Sequence, residues 1–154
     1  MALPITLSSL NVREAIADAL YRGIDGVDTN DATLFRSSMT DDVCFDLRGN
    51  ATNGLEDVTQ NILGFVGPMD TTHNVSNLRI DVNAELDKAS LSAHAICQHC
   101  RPGEGIDTKS PKYTTGVMYF MDLVKSTEDG LWKAKKWTVK YIWAEGDETI
   151  MKRE

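Results

Sequence analysis

The strongest constraint on the fold is a change of hydrophobic period near the middle of the chain. As far as Phe65, apolar residues recur three and four apart; from Leu78 onward they alternate with polar ones. Helices come first and long, mostly antiparallel strands follow, which indicates an α+β fold with the sheet curling over the helices. There is no internal repeat or linker, and 154 residues suit one domain spanning 1–154.

The first helix opens on a capping box, Asn11 with Glu14 three residues on. Val12, Ile16, Ala19, Leu20, Gly23, Ile24 and Val27 form its apolar stripe, with Gly23 and Gly26 allowing close packing, and it ends near Asp28 in the turn cluster Asp28-Thr29-Asn30-Asp31. A shorter helix, capped by Asn30 or Asp31, turns Leu34 and Phe35 inward. A short strand over 43–47 closes in a loop at 48–50, and a third helix over 55–65 stops at Gly67-Pro68. Strands are expected over 78–82, 90–100 and 113–124, with Glu128-Asp129-Gly130 turning into the last. There Trp137, Val139, Tyr141 and Trp143 share one face, while Trp132, Lys136 and Ile142 mark an exposed face suited to a homodimer or small homo-oligomer. The polar loop 102–111 reads as a mobile lid, and the charged tail from Asp147 as frayed.

A net charge of −7 argues against nucleic acid or an anionic membrane as partner, and no apolar run is long enough to span a bilayer. The opening MALPITLSSL lacks the positive region of a signal peptide, and three cysteines suit free thiols in a reducing, cytosolic setting.

Three residues point to one place. Thr71-Thr72-His73-Asn74-Val75-Ser76-Asn77 sets an imidazole at a strand mouth. Asp28 ends a helix, where the macrodipole opposes a carboxylate; a turn-forming Asp bonded to its own backbone is the plainer reading. His99 shares a strand face with Leu91, Ala93, Ala95 and Cys97, as either a cavity residue or a satisfied core histidine. His94 faces the other way, and Asp25 lies further round toward solvent. Cys97 and Cys100 project to opposite faces with no second ligand pair, so no metal site is expected. With no phosphate loop or nucleophile elbow either, the chemistry left is proton transfer without a cofactor.

The helix ending in Asp28-Thr29-Asn30-Asp31, Thr71-Thr72-His73 entering a strand, His99 ending the next, and Asp129-Gly130-Leu131-Trp132-Lys133 turning into a Trp-rich strand together resemble the SnoaL-like branch of the NTF2-like superfamily. The resemblance runs from about Val12 to Gly146. It implies a cone-shaped α+β barrel, a strongly curved sheet wrapped around the helices over a deep pocket. It also implies an Asp–His acid–base pair on Asp28 and His73, with His99 as a second imidazole. The family's dehydratases carry tyrosines near the substrate carbonyl; no tyrosine of this chain matches those positions, so the polarising group is unassigned.

The expectation is therefore a cofactor-independent lyase or isomerase, of dehydratase, epimerase or cyclase type, acting on a small apolar carbonyl metabolite such as a polyketide or terpenoid. His73 is the expected base, Asp28 its orienting partner, and His99 a second acid–base group. Candidate substrate contacts are Tyr21, Asn77, Ala95, Cys97, Val117 and Tyr119, in a pocket also lined by Leu91, Ala93, Met118 and Phe120. The competing expectation is a non-catalytic ligand carrier or dimeric adaptor.

Overall fold

The computed structural model describes residues 2–153: a six-stranded sheet with its helices against one face. Helix α1 (Val12–Asp28) starts on the expected capping box, with Asn11 Oδ1 accepting from Glu14 N and Glu14 Oε2 from Asn11 N, each at 2.9 Å. Helix α2 (Ala32–Ser37) is capped by Asp31, whose Oδ1 accepts from Leu34 N at 3.0 Å. The two helices meet without a spacer at Gly26, where a Cβ would lie 2.6 Å from the backbone of Phe35.

Strand β1 (Met39–Leu47) is longer than expected, and the 48–50 loop is a two-residue turn into a further strand, β2 (Asn50–Asn53). Helix α3 (Leu55–Val58) continues through a π-helical turn (Thr59–Leu63) into α4 (Gly64–Val66). Strands β3 (Asp70–Val82), β4 (Lys88–Cys100), β5 (Tyr113–Lys125) and β6 (Trp132–Gly146) follow as antiparallel neighbours. The order across the sheet is β2-β1-β6-β5-β4-β3, so the last strand sits inside the sheet and pairs parallel with β1. The sheet stays unclosed, with β2 and β3 as its edges.

Arg22 ties the layers together. It is 3% exposed; its Nε donates to Asp18 at 2.9 Å, its Nη1 to the Ser37 carbonyl, and its Nη2 to the Trp132 carbonyl at 2.6 Å. One guanidinium thus joins α1 to the end of α2 and the start of β6, and a buried charge is held this way only when its donors are satisfied. The next residue, Gly23, leaves room for Trp137, whose ring would meet a Cβ at 2.6 Å.

Three β-bulges decide which side chains face the helices. In β3, Ser76 pairs with His94 and Arg79 with Ser92, so β3 carries one extra residue there; Asn77 lies in the left-handed region at φ 55°. The half-buried residues are accordingly Thr71, His73 and Val75 before the bulge and Leu78, Ile80 and Val82 after it. In β6, extra residues fall between Ala134 and Lys136 and between Tyr141 and Trp143. Each bulge shifts the two-residue alternation by one.

Strict alternation therefore misplaces several residues. Trp132 is buried on the helix side, because the bulge at Lys135 brings it onto the face of Trp137 and Val139. Trp143 leaves that face after the bulge at Ile142 and covers Gly116 on the opposite side. The 102–111 loop is pinned by Gly105 N to Asp70 Oδ2 at 2.8 Å and by Lys112 Nζ to the Gly105 carbonyl at 3.2 Å. The tail forms a 3₁₀ turn, Glu148–Met151, capped by Asp147 and anchored by buried Ile150.

Because the Gly26 contact is with backbone, Gly26→Ala is expected to destabilise the protein by about 1–3 kcal/mol. Gly64→Ala, whose Cβ would have nothing nearer than 3.8 Å, is expected to stabilise by up to about 1 kcal/mol. Urea unfolding midpoints at constant m check both.

Candidate active site

The end of α1 lies beside the outer edge of β3, and there the Asp28 carboxylate gathers three donors. Its Oδ1 accepts from Thr71 Oγ1 at 2.7 Å and lies 2.6 Å from His73 Nδ1; its Oδ2 accepts from the His73 backbone N–H at 2.9 Å. These bonds answer both penalties on the residue, burial and the opposing macrodipole. Burial pushes the Asp28 carboxyl up, but the hydrogen bonds and charge of His73 and the Thr71 hydroxyl outweigh it and leave the value below the ordinary one. Asp28 is therefore an anion at neutral pH, and it orients the His73 ring through Nδ1, leaving Nε2 outside that contact.

His73 and His99 stand edge to face, with ring centroids 5.3 Å apart, across the β3–β4 pair. His99 is 4% exposed and its Nδ1 has no hydrogen-bond partner among the described residues. Burial, and then the neighbouring charge of His73, lower its pKa from 6.5 to about 4, so it is neutral at physiological pH.

Both imidazoles line a cavity of about 220 Å³ between the helices and the sheet. Its walls are largely apolar: Ile24, Val27 and Phe35 from α1 and α2, Phe45 and Leu47 from β1, Ile62, Phe65 and Val66 from the third helical segment, and Val117 and Val139 from the sheet. Trp137 adds an indole N–H that is buried without a partner, its ring edge-to-face with Tyr119 at 5.5 Å and tilted toward Phe45 at 5.6 Å. Tyr119 has its hydroxyl 3.6 Å from Cys97 Sγ, and burial holds that phenol far above its ordinary pKa. Burial likewise raises Tyr141 and the Cys97 thiol. Among the described residues, no three His, Cys, Asp or Glu side chains converge as a metal site would need.

Of the substrate contacts expected from sequence, Cys97, Val117 and Tyr119 line this cavity. Tyr21 does not: it sits 42% exposed on α1, pointing away from the sheet. Asn77 is taken up by the β3 bulge and is exposed, and Ala95 is buried in the core without reaching the cavity. Leu91 and Ala93 are likewise core residues, while Met118 and Phe120 point to the far side of the sheet. The 102–111 loop contributes nothing to the cavity, whereas Met151 and Arg153 of the tail do. Trp137, Tyr141, Thr115, Arg48 and Arg153 were not singled out from sequence as cavity residues. The aromatic alternation of β6 signals the first two, but nothing local marks the arginines.

A curved α+β sheet over helices, with a carboxylate-oriented imidazole on the wall of an apolar cavity between them, is the arrangement of an NTF2-like cone. The chain belongs to the SnoaL-like domain family, which matches residues 8–138, and shares its fold with an NTF2-like superfamily protein of Salmonella enterica, at TM-score 0.70 and 14% identity over 86% of this chain and 92% of that one. It is 42% identical over 147 residues, 95% of this chain and 94% of its relative, to the terrestric acid biosynthesis cluster protein E of Penicillium crustosum. It shares its fold with a candidate scytalone dehydratase from Novosphingobium aromaticivorans, at TM-score 0.73 and 20% identity over 86% of this chain and 85% of that one. The hexachlorocyclohexane dehydrochlorinase LinA-type3 of Novosphingobium barchaimii is similar at TM-score 0.69 and 21% identity, over 88% and 89%.

The two shifted groups predict the acid side of the stability curve. The unfolded chain takes up a proton on His99 near pH 6.5 that the folded one accepts only near 4, so stability falls as pH drops through that window. The full loss is roughly 3 kcal/mol, and His99→Gln is expected to abolish it. The depressed Asp28 value acts lower: its stabilisation is complete above pH 3.8 and is lost as pH falls further. Urea unfolding from pH 7 to 3 on wild type and His99→Gln measures both.

Proposed function

We propose that this protein is a lyase of secondary metabolism that uses Asp28 and His73 to remove a proton alpha to a carbonyl and expel a β-substituent. The observation that carries this reading is the 2.6 Å Asp28–His73 contact on the wall of an apolar cavity. An imidazole oriented by a half-buried carboxylate is suited to act as a general base, with Nε2 as the accepting atom.

In the simplest sequence, His73 Nε2 takes the alpha proton and the electron pair of the C–H bond forms an enolate. The enolate then collapses to a C=C bond as the β C–O bond breaks. The departing hydroxide leaves as water with the proton from the His73 imidazolium. Trp137 Nε1–H and the neutral His99 are the groups for the carbonyl oxygen. Both line the cavity, and Trp137 Nε1 and His99 Nδ1 are buried there with no partner among the described residues; a donor aimed at developing negative charge is worth most where water is excluded. The phenols of Tyr119 and Tyr141, kept protonated by burial, are further donors in the same wall.

The relative from Penicillium crustosum is named for a biosynthetic cluster, which supports secondary metabolism. The fold neighbours are named for a dehydratase and a dehydrochlorinase, both eliminations, which supports a lyase over an isomerase. A carrier would need the cavity but not the pair.

The test is NMR of β-hydroxyketones incubated with the protein in D₂O. Exchange of the alpha proton or loss of water is expected, and His73→Ala should lower it by about 10²–10⁴-fold with the fold intact. Ligands that bind without exchange above the buffer rate would overturn the enzyme reading in favour of a carrier.

A further inference from the structure

Two arginines at the cavity rim are paired with no acid among the described residues. Arg48 comes from the β1–β2 turn and Arg153 from the tail, and they share the rim with Asn61. Arg22, Arg36 and Arg101 each hold a carboxylate. Arg48 and Arg153 hold none among the described residues, in a chain of net charge −7.

Both are held in place by aromatic rings. The Arg48 guanidinium lies 4.9 Å over the Tyr141 ring and that of Arg153 4.7 Å over Phe65, and Arg153 also donates to the Asn61 carbonyl. Stacking occupies the flat faces and leaves in-plane N–H edges for a planar acceptor. The backbone adds an independent sign. Arg48 sits at φ 56° ahead of Gly49 at 83°, in a turn whose first position ordinarily takes Asn or Gly because a larger side chain is strained there. A strained residue that carries an unpaired charge to a cavity rim fits the pattern of strain kept where function needs it.

We infer that the rim is a carboxylate-binding subsite: Arg48 and Arg153 hold the carboxylate of a small organic acid whose body extends inward toward His73. This rests on reading the cavity as a substrate site. Neither the cavity nor the rim contains a lysine, and two solvent-exposed guanidinium groups suit a planar monoanion better than a phosphate dianion.

The probes are hexanoate, hexanamide and hexyl phosphate, titrated at low salt and followed by NMR at the Trp137 indole and the histidines. Hexanoate should bind at least about fivefold more tightly than hexanamide, with the advantage shrinking as salt is added. The Arg48→Gln/Arg153→Gln double variant should lose that preference while binding hexanamide as before, which also shows that its cavity is intact. Equal binding of acid and amide in the wild type, or a preference that survives in the double variant, overturns the inference. Hexyl phosphate binding more tightly than hexanoate overturns it too, and assigns the rim to the phosphate of a carrier-bound substrate. His73→Ala should keep the acid preference, so failure of the proton chemistry and failure of the rim are read separately.

Discussion

The Asp28 carboxylate stands where a further strand would have been. β3 is an edge, and its His73 N–H points outward with no strand to accept it; Asp28 Oδ2 takes that hydrogen bond while Oδ1 takes the ring and the Thr71 hydroxyl. An exposed edge is a liability for a sheet protein, and here part of it is answered by the end of a helix. The interaction that seats α1 against the sheet is therefore the one that orients the imidazole. Everything that sets the height of α1, from the Arg22 clamp to the glycine contacts with Trp137 and Phe35, also sets the geometry of the pair.

The electrostatics of the cavity are graded by depth. At the inner wall an anion and two imidazoles share a poorly solvated space, and burial together with its neighbour keeps the second imidazole neutral through the physiological range. At the rim, two guanidinium groups face solvent without a carboxylate partner among the described residues. Between them lie apolar walls with a single indole N–H and two phenols. A long molecule entering this cavity would pass from a positive, wet end to a dry end walled by the two imidazoles.

The helices were legible in sequence because their signals are local: a capping box, an apolar stripe and a Gly-Pro stop each act within a few residues, and each appears where the sequence places it. Asp28 and His99 were legible in position, since each lies at the end of an element whose end could be read; His73 lies three residues inside β3, which begins at Asp70 rather than near Leu78. The cavity lining was not, because it depends on parity along strands, and three bulges reset that parity without any strong local mark. Asn77, taken for a substrate contact, is itself one of the resets. Strand β2 and the tail turn were missed because four-residue elements carry too little pattern, and the parallel β1–β6 pairing joins segments about ninety residues apart in sequence.

The bulges of β6 also bear on how such a cavity changes over evolutionary time. Lys135 is the extra residue that puts Trp132 and Trp137 on the same face, and Ile142 the one that turns Trp143 away from it. A bulge takes up one extra residue locally, so its gain or loss at that point leaves the inward and outward sets beyond it as they were. Deleting Lys135 would restore plain alternation there, with Ala134 and Trp137 still meeting the helices and Lys136 still facing away. The cavity lining is thus buffered against gain or loss of a residue at these points, so the length of the strand can drift while the residues that meet the helices stay the same.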